Sequence, residues 1–135
     1  MPTEARVLAD FLGRWSLKKT IRQGDGQMAA FEGTAVWVPE ADGALYTEHG
    51  TLTLAGTAPL SAERRYRWSA DLDIYFDDGR FFHSVPPQGG QAAHWCDPDQ
   101  YDVAWDFADW PAFSARWTVK GPRKDYEMHC FYRPG

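Results

Sequence analysis

Residues 113–130, FSARWTVKGPRKDYEMHC, decide the fold. Phe113, Ala115, Trp117 and Val119 take every second position, Gly121-Pro122 interrupts, and Tyr126, Met128 and Cys130 resume the alternation. Successive side chains of a strand point to opposite faces, so this period of two, broken once by turn residues, predicts two neighbouring strands with one apolar face each. The pattern extends outward along the chain. Phe31, Gly33, Ala35 and Trp37 oppose Glu32 and Thr34, and Leu72, Ile74 and Phe76 share a face, as do Val103, Trp105 and Phe107. Strands are expected over 14–23, 27–39, 44–54, 61–69, 71–77, 80–85, 91–96, 101–107, 113–120 and 124–132. Gly24-Asp25-Gly26, Ala41-Asp42-Gly43 and Asp77-Asp78-Gly79 supply tight-turn chemistry between them. Only the beginning departs from this period: Val7, Leu8, Phe11 and Leu12 fit one helical face, with Thr3 as the expected N-cap and Gly13 as the stop.

Short connections between consecutive strands predict an all-β, up-and-down antiparallel meander of about 8–10 strands preceded by a short helix. A sheet that wide must curl or close to protect its edges, and a barrel of this size holds one small ligand or fills itself with side chains. The length of 135 residues suits a single domain over 1–135, and 21 Trp, Tyr and Phe residues exclude a disordered chain. A net charge of −5 argues against a nucleic-acid partner, and no apolar run reaches membrane-spanning length. Cys96 and Cys130 have no CxxC spacing and are expected as reduced thiols, and the first residues lack the plan of a signal peptide, so a cytoplasmic location is expected. Whether the two cysteines meet in space is left open, and the sequence is silent on oligomeric state.

Polar residues on the apolar faces are the candidate site. Arg64 alternates with Tyr66 and Trp68, and Glu48 alternates with Tyr46 and Leu52, so the two charges are expected inside, as a ligand anchor or as a structural ion pair. Arg65 and Arg67 fall outside, and Lys18-Lys19 reads as a solvated surface pair. His94 shares a face with Cys96, and Tyr101 follows their turn; His83 lies beside Phe82 with its direction ambiguous. Each histidine is either a hydrogen-bonding group for a ligand or a core residue. The candidate ligand-binding set is therefore Glu48, Arg64, Tyr66, His83, His94, Tyr101, Trp105, Trp117, Tyr126 and Met128, with Trp37 and Trp68 as further wall. No metal site is expected, because His129 and Cys130, adjacent on one strand, point apart and no CxxC or HxxxH spacing occurs. Motifs for nucleotides, serine nucleophiles, zinc hydrolysis and covalent haem are absent, so the sequence names no cofactor.

Gly13-Arg14-Trp15, after a short helix and opening the first strand, resembles the GxW signature of the calycins, the lipocalin and fatty-acid-binding-protein superfamily. With FEGTAVW, LYTEHGTL, APLSAERRYRW, FDDGRFFH, AHWCDPDQYDV and GPRKDYEMHCFYR, the chain resembles a bacterial, calycin-like family of unknown function. That resemblance implies a calycin-like barrel and brings no established activity. It also implies that Trp15 closes one end of the barrel against a basic side chain near the last strand, with Arg133 and Arg123 as candidates. The function expected is the binding of a small, mainly apolar molecule in an aromatic-lined interior. The alternative is a small lyase, isomerase or decarboxylase using interior Arg, Glu and Tyr for acid–base chemistry.

Overall fold

The computed structural model describes residues 4–135. Ten antiparallel strands form one sheet: β1 (Gly13–Gln23), β2 (Met28–Glu40), β3 (Gly43–Leu54), β4 (Leu60–Ser69), β5 (Asp73–Phe76), β6 (Phe81–Ser84), β7 (Gly90–Cys96), β8 (Asp99–Asp106), β9 (Phe113–Lys120) and β10 (Asp125–Pro134). Their spatial order is β6-β5-β4-β3-β2-β1-β10-β9-β8-β7. Consecutive strands pair throughout except at β6 and β7, and β1 pairs with β10, from Trp15 opposite Pro134 to Gln23 opposite Tyr126. The sheet curls into a nearly closed up-and-down barrel of the calycin type, with β6 and β7 as the two edges of an unladdered seam. Aromatic side chains fill that seam: the His94 ring lies 5.7 Å from Phe82 and 6.0 Å from Phe81, centroid to centroid.

The alternating faces sort as the pattern requires. Phe31, Ala35 and Trp37 are buried while Glu32 is exposed, and Phe113, Ala115, Val119, Met128 and Cys130 are buried along β9 and β10. Burial of such faces is what drives a sheet to curl, since each large side chain removed from water contributes roughly 1.5–3 kcal/mol.

The helix is shorter than its apolar spacing suggests. It is a single turn, α1 (Leu8–Phe11), begun at Val7, whose N–H donates to the Asp10 carboxylate at 3.0 Å. Phe11 alone of its apolar set is fully buried, whereas Val7 and Leu12 are exposed. Thr3, the expected cap, lies outside the described residues.

Phe11 enters the barrel end, where Trp37, Trp68, Phe107, Trp110 and Phe113 pack around it edge-on or tilted. Trp15 donates its indole N–H to the Phe11 carbonyl at 2.8 Å, so the signature tryptophan holds the helix as a plug. Among the described residues neither Arg133 nor Arg123, nor any other cation, lies over the Trp15 ring, and the cation–π contact at this end is made to Trp110 instead. Arg6 lies over the Trp110 ring at 4.4 Å, and its backbone N–H donates to Pro87 in the β6–β7 connection at 2.7 Å. No helix among the described residues is long and apolar enough to cross a membrane.

Candidate functional site

Above the aromatic plug the barrel is open, with a cavity of about 1030 Å³ reaching the opposite mouth. Tyr66, Trp68, Phe76, Phe82, Tyr101, Trp105, Trp117, Tyr126 and Met128 line its wall. Trp37 lies below the floor, inside the plug, and is not part of that wall.

The floor is polar. Glu48 is 4% exposed, and its carboxylate accepts hydrogen bonds from the Lys19 ammonium through Oε1 and from the Tyr46 hydroxyl through Oε2, the latter at 2.5 Å. Because Tyr46 donates to the carboxylate, its oxygen accepts from Tyr132, 2.8 Å away. Four side chains from β1, β3 and β10 thus form a chain, Tyr132 to Tyr46 to Glu48 to Lys19, and all four line the cavity. Burial, reinforced for Tyr46 by the Glu48 charge, holds both tyrosine pKa values well above the ordinary phenol value. Both phenols therefore stay protonated and act as donors.

The partnership expected between Arg64 and Glu48 does not form. The two are directly opposed in the β3–β4 register, yet the carboxylate turns to Lys19 and Tyr46. Lys19 is the residue missed. Lys18 is exposed and reaches Glu32 at 3.7 Å, but Lys19 alternates with Leu17 and Ile21 and points inward. The test that placed Arg64 inside would have found it. Tyr46 and Tyr132 carry the same signal, on the faces of Glu48 and Cys130 respectively.

Arg64 lines the cavity from β4 and is exposed to solvent there. Desolvation opposes its charge, but Tyr66, Glu48 and Tyr126 outweigh it and raise the guanidinium pKa, so Arg64 remains a cation. Tyr66 beside it is pushed up to about 12, mainly by burial, with Arg64 pulling the other way. At the mouth Lys124 donates to the Tyr101 hydroxyl at 3.0 Å and pairs with Asp99 at 3.3 Å. The outward arginines are engaged in water: Arg65 with Glu63 at 3.2 Å and Arg67 with Glu40 at 2.7 Å.

Neither histidine lines the cavity. His83 is 2% exposed and accepts the Trp105 indole N–H on Nε2 at 3.2 Å, while its Nδ1 is buried without a partner. Burial lowers its pKa to about 4, so it is neutral at physiological pH. Its direction could not be read by alternation because the β5–β6 register shifts between Ile74 and Tyr75, burying Phe82 and His83 together. His94 packs in the β6–β7 seam. The cysteines are both free: Cys130 lies near the floor, with burial pushing its thiol to about 12, and Cys96 lies at the mouth, where Arg80 reaches its sulfur at 3.8 Å. Among the described residues no group of three His, Cys, Asp or Glu side chains is placed to hold a metal ion.

Residues 11–134 match the model of the "Family of unknown function (DUF6314)". The chain belongs to that family. No curated protein matches this DUF6314 chain. Among solved structures, its fold is similar to the S-type phycobiliprotein lyase CPES from Guillardia theta. The TM-score is 0.62 at 6% identity, over 93% of this chain and 87% of the lyase. A de novo designed fluorescence-activating β-barrel gives a TM-score of 0.46 at 11% identity over 95% and 96% of the two chains. For the DUF6314 barrel the lyase likeness establishes architecture.

Proposed function

We propose that the protein binds a small, mainly apolar molecule inside the upper half of its barrel. The observation that carries this reading is the cavity itself: about 1030 Å³, walled by aromatic rings and floored by a satisfied polar cluster. Proteins of this size normally fill their interiors with side chains, so an open, aromatic-walled cavity this large is a departure that suits an occupant. Pockets for small molecules have this composition, largely apolar walls with a few placed polar groups. The likeness to the phycobiliprotein lyase is one of fold, and the binding reading does not depend on it.

Chemistry at the floor has less support than binding. General acid–base catalysis is most effective when the group titrates near the working pH. Here both floor tyrosines are held far above that range, and both oxygens of Glu48 are already engaged by strong donors.

The test is native mass spectrometry of the purified protein beside its denatured mass. A non-covalent adduct released on denaturation is the expected result, and its mass begins the ligand's identification. A bare protein that also shows no thermal shift with aromatic acids, fatty acids and haem would overturn the reading.

A further inference from the structure

One cation of the cavity lining has no ion-pair partner among the described residues. Lys19 is neutralised by Glu48, Lys124 by Asp99, Arg80 by Asp78 at 2.8 Å and Arg65 by Glu63. Arg64 is the cation left over, with no carboxylate within ion-pairing distance among the described residues. Glu48, its cross-strand neighbour, is taken. The nearest polar groups, Tyr66 and Tyr126, both have raised pKa values, chiefly through burial, so they stay protonated and cannot serve as counter-ions. Of the acidic groups on the lining, Asp77 and Asp97 also have no ion pair among the described residues, and both are exposed to bulk water. A solvent-exposed guanidinium on the cavity lining, with no counter-ion of its own, offers a fork of donors that matches the flat acceptor geometry of a carboxylate.

The wall beside it is built of rings presented face to face. Phe76 and Phe82 stack at 4.6 Å and 26°, Tyr66 continues the stack against Phe82 at 6.2 Å and 24°, and Trp117 tilts over Phe82 at 5.2 Å. Such a surface suits a flat ring system, which meets it by offset stacking or edge contact without losing torsional freedom.

Resting on the binding reading above, we propose that the cavity's occupant is a planar aromatic anion, its carboxylate or equivalent oxyanion seated on Arg64 and its ring system lying along the Tyr66, Phe82 and Trp117 wall. Lys19 contributes less, since its charge is already neutralised by Glu48 at the floor.

Two fluorescent probes that differ by one charged group test this directly. 8-Anilinonaphthalene-1-sulfonate and its neutral parent N-phenyl-1-naphthylamine share the same rings, and both brighten on entering an apolar site. The sulfonate is expected to bind about tenfold more tightly than the neutral probe, the gain of one charge-assisted contact. Arg64→Met should bring the sulfonate down to the neutral probe's affinity while leaving the neutral probe unchanged, which also shows that the variant is folded. 2-Naphthoate should displace the sulfonate far better than decanoate does.

Equal binding of the two probes to the parent protein would overturn the anion while leaving the cavity reading intact. Displacement by decanoate as effective as by 2-naphthoate would overturn the aromatic part. Failure of either probe to bind would count against the cavity reading itself, and with it this one.

Discussion

Lys19 is the residue on which the interior depends. A buried carboxylate with its ammonium removed is left uncompensated, and breaking such a pair from one side costs about 3–5 kcal/mol, far more than the intact pair contributes. Lys19→Met is therefore expected to lower stability to urea by about that amount. Lys19→Met combined with Glu48→Gln should recover most of it, because the amide is neutral and still accepts from Tyr46. Equal loss in both would show that packing of the lysine stem, not charge, sets the cost.

His83 makes a second, independent prediction. Its pKa falls from about 6.5 in the unfolded chain to about 4 in the barrel. The unfolded state thus binds the proton first, and stability is lost as pH falls from 6.5 towards 4. The full effect is about 3 kcal/mol, with about 2 kcal/mol already lost by pH 5. His83→Gln retains an acceptor for the Trp105 indole and should flatten that acid limb in denaturation measured from pH 7 to 5.

At the scale of elements, Gly33 of β2 and Gly50 of β3 oppose each other in the register. A Cβ built on Gly33 would collide with the His49 carbonyl oxygen, and one on Gly50 with the Glu32 carbonyl and the edge of the Phe31 ring. The bare backbone lets Phe31 lie against Gly50, and the Lys19 ammonium sits 5.1 Å from that ring's centre. Gly33→Ala has backbone as its obstacle, so the strands must separate. A loss of about 2 kcal/mol or more in thermal or urea unfolding is expected, and no loss would mean the strands part freely there.

The same scale shows where reading the chain succeeds and where it stops. All ten strands, their turns and nearly every inward face follow from alternation, because period two is a property of each strand alone. Alternation puts Glu48 and Arg64 on the cavity side, where Glu48 is buried and Arg64, opposite it in the register, is exposed to solvent. Their pairing failed because β1, two strands away, brings Lys19 to the carboxylate through the curvature of the barrel, and curvature leaves no mark in the sequence of a single strand. Lys19 itself was legible, and only its adjacency to Lys18 disguised it as surface. His83 was obscured by one irregularity between β5 and β6, since a single shift in register reverses what alternation implies.

For the molecule as a whole, the order of the strands carries a consequence of its own. Every ladder joins strands that follow one another in the chain except β1 with β10, and the missing ladder is the one between β6 and β7. The Gly135 N–H donates to the Arg14 carbonyl at 3.2 Å, bringing the two ends of the sheet's path together. A circular permutant that joins Gly135 by a short linker to the segment before α1, and opens between Gln88 and Gly89, would run β7 through β10 and then β1 through β6. Every pairing would then be local, and the costliest loop closure would disappear from the folding reaction. Stopped-flow refolding of that permutant should be faster than that of the parent at similar equilibrium stability. An unchanged rate would place the kinetic barrier elsewhere than in the meeting of β1 and β10.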